Sequence, residues 1–129
     1  MSFHRFANQD ERRAFGGSDC MEMQYCLLLK GTPISEITAV DGIKHWQDDS
    51  LYIYDENEFY QHYGTIFTDG FYANGKRGVL DVCGINYYPP EMVEGIIERI
   101  KSAKPDGYET LLTWLEQNKN HNGIYILGI

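Results

Sequence analysis

The chain is short of positive charge: 11 Lys and Arg stand against 19 Asp and Glu, a formal net charge of −8. Neutralising nucleic-acid phosphates needs a basic face, so direct nucleic-acid binding is not expected. Cysteine is scarce too. Cys20, Cys26 and Cys83 are odd in number, form no Cys-x-x-Cys pair and stand at no zinc-ligand spacing with a histidine, which predicts reduced structural thiols rather than a disulfide framework. No stretch of about 18 apolar residues occurs. The opening "MSFHRFANQDERRAF" also lacks the apolar core of a signal segment, so a cytoplasmic protein without a membrane span is expected. His-Glu-x-x-His, EF-hand, G-x-S-x-G, P-loop and dinucleotide glycine patterns are all missing. No catalytic residue, metal or cofactor is therefore predicted.

What is present is enough length, 129 residues, for one domain with a core of its own, 1–129. Residues 1 to 17 are polar and end in Gly16-Gly17, which reads as a flexible arm or a short helix. In "SDCMEMQYCLLLKGTP", Ser18 or Asp19 would cap a helix with Met21, Tyr25 and Leu28 on one face. Met21, Met23, Tyr25, Leu27 and Leu29 also alternate as a strand would; of the two, helix is preferred. "ISEITAVDG" predicts a short helical turn closed at Gly42.

"SLYIYD" predicts a strand and "ENEFYQHY" a helical turn. "TIFTDGFYANGKRGVLDVCGINYY" then reads as strand, turn, strand, with positive φ expected at Gly70 and at Asn74-Gly75. Pro90 is suited to open a helix, since its missing N–H would have no intrahelical partner. Met92, Val93, Ile96, Ile97 and Ile100 follow it on one stripe. A second helix starts near Asp106 and Glu109, with Tyr108, Leu111, Leu112 and Leu115 at helical spacing. "IYILGI" predicts a buried terminal strand. The expected fold class is α+β: a small, mainly antiparallel sheet, a helical N-terminal third, a helix pair on one face and a C-terminal strand.

Chemistry finds few candidates. His62, between Tyr60 and Tyr63, would act as a general base if Asp55 or Asp69 oriented it, but an ordinary surface histidine is the preferred reading. Asp81 is placed by alternation on one strand face with Val79, Cys83 and Ile85, where an ionised carboxylate needs a partner; an edge position or a structural hydrogen bond is preferred. Lys76 and Arg77 beside Gly75 read as a solvated turn.

Charge is concentrated. From Asp41 to Asp69, seven acids (Asp41, Asp48, Asp49, Asp55, Glu56, Glu58, Asp69) oppose Lys44 alone, which puts −6 of the −8 there. Carboxylates beside Tyr suit an interface with a basic protein, since Tyr supplies rigid contact area and the acids meet Lys and Arg. Asp48, Asp49, Asp55, Glu56, Glu58, Asp69, Tyr60 and Tyr72 are the predicted partner-binding residues.

At "FYQHYGTIFTDGFY", at "GVLDVCGINYYPPEMVEGIIERIKSAKPDGYETLLTWLEQ" and at the ending "NGIYILGI", the chain resembles the immunity proteins of bacterial contact-dependent growth inhibition and related polymorphic toxin systems, in particular those paired with ribonuclease toxins. The likeness spans roughly residues 58 to 129 and rests on glycines, aromatics and element layout, without a short diagnostic motif. It implies a non-enzymatic cytoplasmic protein that binds one cognate toxin domain and blocks its active site or substrate groove. Such families diverge at the binding surface, so the resemblance assigns no site residue. Two other classes compete: a small-ligand or enzymatic domain using His62 and Asp81, and a structural adaptor that homodimerises.

Overall fold

The computed structural model describes residues 2–15, 20–40, 43, 47–117 and 120–128. In chain order the elements are α1 (Gln9–Phe15), β1 (Met21–Tyr25), α2 (Ile34–Ile37), β2 (Leu51–Ile53), α3 (Glu56–Tyr63), β3 (Gly70–Phe71), β4 (Arg77–Gly78), β5 (Ile85–Tyr88), α4 (Pro90–Ala103), α5 (Tyr108–Gln117) and β6 (Ile124–Leu127). The strands form one antiparallel sheet in the order β2-β1-β6-β5-β3-β4. The expected α+β class holds, with the helix pair on one face and the final strand within the sheet.

Residues 21–25 are a strand, not the preferred helix. Both patterns fit the segment locally, and pairing decides between them: Met23 faces Leu51 on one side and Ile126 on the other, so tertiary partners override a weak local bias. The proposed caps Ser18 and Asp19, like Gly42, lie outside the described residues. The N-terminal third thus carries two short helices with a strand between them. Ahead of α1, His4 bridges to Tyr52 and Phe6 is buried against the Tyr52 ring.

Alternation divides the sheet into two faces. Met21, Met23, Tyr25, Leu51, Ile53, Tyr88, Ile124 and Ile126 point toward the larger core. There α4 contributes Val93, Ile96, Ile97 and Ile100, and α5 contributes Leu111, Trp114 and Leu115. Trp114 falls beside the expected α5 stripe, stacks on Tyr25 at 4.0 Å between centroids and donates to the Asp49 carbonyl at 2.6 Å. On the opposite face Cys26, Tyr87 and Tyr125 pack under Ile37 of α2.

The hairpin expectation holds at Gly75, which has φ 81 in the turn between β3 and β4. It fails at Gly70 and at Asn74, neither of which has positive φ; the residue before β3 that does is Asp69, at 60°. Gly70 serves differently: a Cβ there would come 2.7 Å from the Tyr88 ring. Cys83 and Asp81 precede β5 in a loop and turn rather than lying in a strand.

Glu22, unremarked in the sequence, sits on the second face of β1. It accepts hydrogen bonds from Gln24 Nε2 at 2.7 Å and Ser50 Oγ at 2.8 Å. Burial pushes its carboxyl above the ordinary value despite those bonds, the Tyr52 hydroxyl and the Arg12 guanidinium. Protonated in both folded and unfolded chains at low pH, Glu22 costs nothing there. Stability is lost as pH rises through the raised native pKa, where the buried group must ionise.

Two outcomes follow. Gly123→Ala meets both a φ of 83° and a Cβ 2.1 Å from the Tyr88 carbonyl, whereas Gly31→Ala meets a φ of 93° with nothing within 4 Å. Urea unfolding should show Gly31→Ala losing about 1–2 kcal/mol and Gly123→Ala clearly more. For Glu22→Gln, the stability advantage over wild type should grow as pH rises from about 4 to about 7. A gap that narrows with rising pH would contradict the assignment.

Candidate functional site

Asp55 begins the helix that carries half of the predicted residues. Its backbone leaves β2 extended, and its carboxylate accepts from Glu58 N at 2.9 Å, capping α3. Glu56 and Glu58 follow in the first turn, where the helix dipole favours negative charge. The helical period then splits α3 into two faces. Phe59 and Tyr63 turn inward, stacked at 5.1 Å between ring centroids, while Asn57, Tyr60 and Gln61 are exposed and Glu56, Glu58 and His62 half-buried. Tyr60 keeps 45% of its surface accessible.

The loop between α4 and α5 comes up against the inner turn of this helix. α4 ends on Lys104 at φ 47 and the loop closes through Gly107 at φ 77. The Tyr63 hydroxyl donates to the Asp106 carbonyl at 2.7 Å. Burial, with the Asp106 charge second, pushes that hydroxyl's pKa up and keeps it a donor. The tie brings Asp106 to Glu58 and His62, one helical turn apart on α3, and the ligating atoms of all three lie within 4.8 Å of one another.

The other predicted residues are placed elsewhere. Asp48 and Asp49 occupy the turn before β2, at the opposite end of that strand from Asp55. Asp69 precedes β3, and its carbonyl accepts from Arg77 Nε at 3.0 Å. Tyr72 is half-buried: its ring covers Gly78 and its hydroxyl donates to the Val79 carbonyl, so it braces the β3–β4 hairpin. Three strands separate β2 from β3, which at ~4.8 Å per step is about 19 Å. The eight residues therefore fall into three groups, of which Asp55, Glu56, Glu58 and Tyr60 share one helix. Among the described residues no cation forms an ion pair with Asp48, Asp49, Asp55, Glu56 or Asp69.

Of three cavities among the described residues, none is lined by His62 or Asp81. Asp81 is exposed, its carboxylate accepts from Cys83 N at 3.0 Å, and its backbone N and O bond the side chain of buried Asn86 at 2.9 and 2.8 Å. It shapes a turn, as the structural reading held. His62 faces Glu58 and Asp106 rather than Asp55 or Asp69. A 420 Å³ cavity opens between α4, α5 and the start of β6, floored by Val93, Ile97 and Leu115 and rimmed by Lys30, Lys101 and His121; neither His62 nor Asp81 lines it. Asp106 escaped the sequence reading because its relation to α3 is made by the fold, with no spacing signal to find it. No helix among the described residues is long and apolar enough to cross a membrane. In comparisons with known proteins, the chain matches no family model, no curated protein and no solved structure.

Proposed function

We propose that this is an immunity protein, which binds a cognate, basic ribonuclease toxin domain and blocks its substrate groove with the acidic outer face of α3. The observation that carries the reading is the uncompensated charge: five carboxylates between Asp48 and Asp69 have no ion-pair partner among the described residues. The cap at Asp55 and the α3 dipole account for part of the acidity, but the like charges still repel one another and leave further attraction to be supplied from outside. A nuclease groove offers that attraction, being lined with Lys and Arg for phosphates. Exposed Tyr60 supplies the rigid contact area that a charged patch lacks. The resemblance in the second half of the chain points the same way. Asp48–Asp49 and Asp69 act in this reading as outlying charges that steer approach, with contact made at Asp55, Glu56 and Tyr60, while Glu58 turns with His62 toward Asp106.

The test pairs the protein with the toxin domain encoded beside it. Co-expression should restore growth, and growth arrest regardless of co-expression would sink the proposal. Asp55→Asn combined with Glu56→Gln keeps a competent N-cap, because Asn caps as well as Asp. That variant should bind about tenfold more weakly, with a shallower dependence on salt. Equal salt slopes for variant and wild type would remove α3 from the interface.

A further inference from the structure

We propose that Glu58, His62 and Asp106 form a binding site for a single zinc ion. The proposal stands on geometry and does not depend on the toxin reading. Two helical ligands at i and i+4 share one face of α3, and Asp106 is brought to them by a loop that the Tyr63 hydroxyl pins at its backbone. The ligating atoms lie within 4.8 Å of one another. Bonds of about 2.0–2.1 Å in a tetrahedral shell place ligand atoms about 3.3 Å apart. Rotations of three half-buried or exposed side chains cover that difference without moving the backbone. One end of the site is held by a capped helix and the other by the Tyr63 bond, so the positions from which the side chains reach are set before a metal arrives.

The donor set selects the ion. One imidazole and two carboxylates favour zinc over magnesium or calcium, which take oxygen-only shells of six or more ligands. Two carboxylates with a neutral imidazole sum to −2, so a divalent cation leaves the site neutral and relieves the repulsion between the acids. Three protein ligands leave the fourth tetrahedral position to water. Glu58 and Asp106 already have polar partners in the folded chain. Zinc binds in exchange for those contacts, so the expected affinity is lower than that of a structural zinc site.

Titration calorimetry of the whole protein with zinc chloride tests the site. One equivalent should bind with a dissociation constant of about 1 μM, weakened at least about tenfold by His62→Ala and by Asp106→Asn. Asp106→Asn leaves the Tyr63 bond intact because that bond uses the backbone carbonyl. Cys83→Ser and His4→Ala remove other accessible zinc-binding side chains and should change nothing. A second measurement is independent of any variant: zinc should shift the imidazole nitrogen resonances of His62 and leave those of His4 unmoved. Absence of stoichiometric binding, or binding retained in both site variants with the His62 resonances unmoved, overturns the proposal.

Discussion

The fold depends on β6. This strand comes last in the chain yet lies between β1 and β5, with Ile126 opposite Met23 on one side and Asn86 on the other. Each of its backbone polar groups can be satisfied only if segments from near residue 22 and near residue 86 arrive in register. An unpaired buried N–H or C=O costs as much as a lost hydrogen bond, so neither half of the sheet is complete until the C-terminal segment docks. The register also places side chains. Ile124 and Ile126 enter the helix-covered core, and Tyr125 enters the smaller cluster under α2. A slip of one residue would exchange these faces. Gly128 extends the constraint past the strand: its N donates to the Gly84 carbonyl at 2.7 Å, and a Cβ would come 2.4 Å from the Val82 carbonyl.

Around that strand, tyrosine does what disulfides or longer strands do in other small domains. Six of the ten tyrosines send a hydroxyl to a backbone carbonyl in a loop or at an element end: Tyr25 to Trp114, Tyr54 to Phe15, Tyr63 to Asp106, Tyr72 to Val79, Tyr87 to Asn122 and Tyr125 to Ile37. A ring buries large apolar area while its tip satisfies a carbonyl that would otherwise lack a partner. Burial raises the pKa of Tyr63, Tyr87 and Tyr125, so these hydroxyls stay protonated donors at neutral pH. Most of the described aromatic rings are thus accounted for by folding, and among them Phe15 and Tyr60 keep large exposed surface.

Elements whose signal is local were legible in the sequence. The stripe Val93, Ile96, Ile97 and Ile100, the proline that opens α4 and the β-branched run of β6 each satisfy one template only. Residues 21–25 satisfy two, and the choice between them is made by β2 and β6, which no window over the segment contains. Glu22 followed the same error. A strand face makes it a half-buried acid held by Gln24 and Ser50, which a helix over this segment would not predict. Asp81 was placed by extending alternation across a turn, and the structure instead spends its carboxylate on Cys83 N. In the candidate site, α3 was legible as an acidic helical turn with an aromatic inner face. Its partner Asp106 was not, because loop-to-helix proximity has no period.

Separation decides how the acidic residues can act. At physiological salt the Debye length is about 8 Å, while the edge that carries Asp48 and Asp49 lies about 19 Å across the sheet from β3 and Asp69. Charges that far apart in solvent do not reinforce one another at a common contact, and they contribute to steering at long range only as a sum. Asp55, Glu56 and Glu58 differ in sharing one helix start, where the backbone amides and the dipole hold carboxylates in place at little entropic cost. A partner that met the sheet edges would gain from one outlying group at a time, whereas one that met α3 would face Asp55, Glu56 and Tyr60 on a rigid element anchored by Phe59 and Tyr63. Rigidity lowers the ordering cost of association. By that argument the proposed contact surface is favoured by a helix start that Phe59 and Tyr63 anchor in the core, not by the density of acids along the chain.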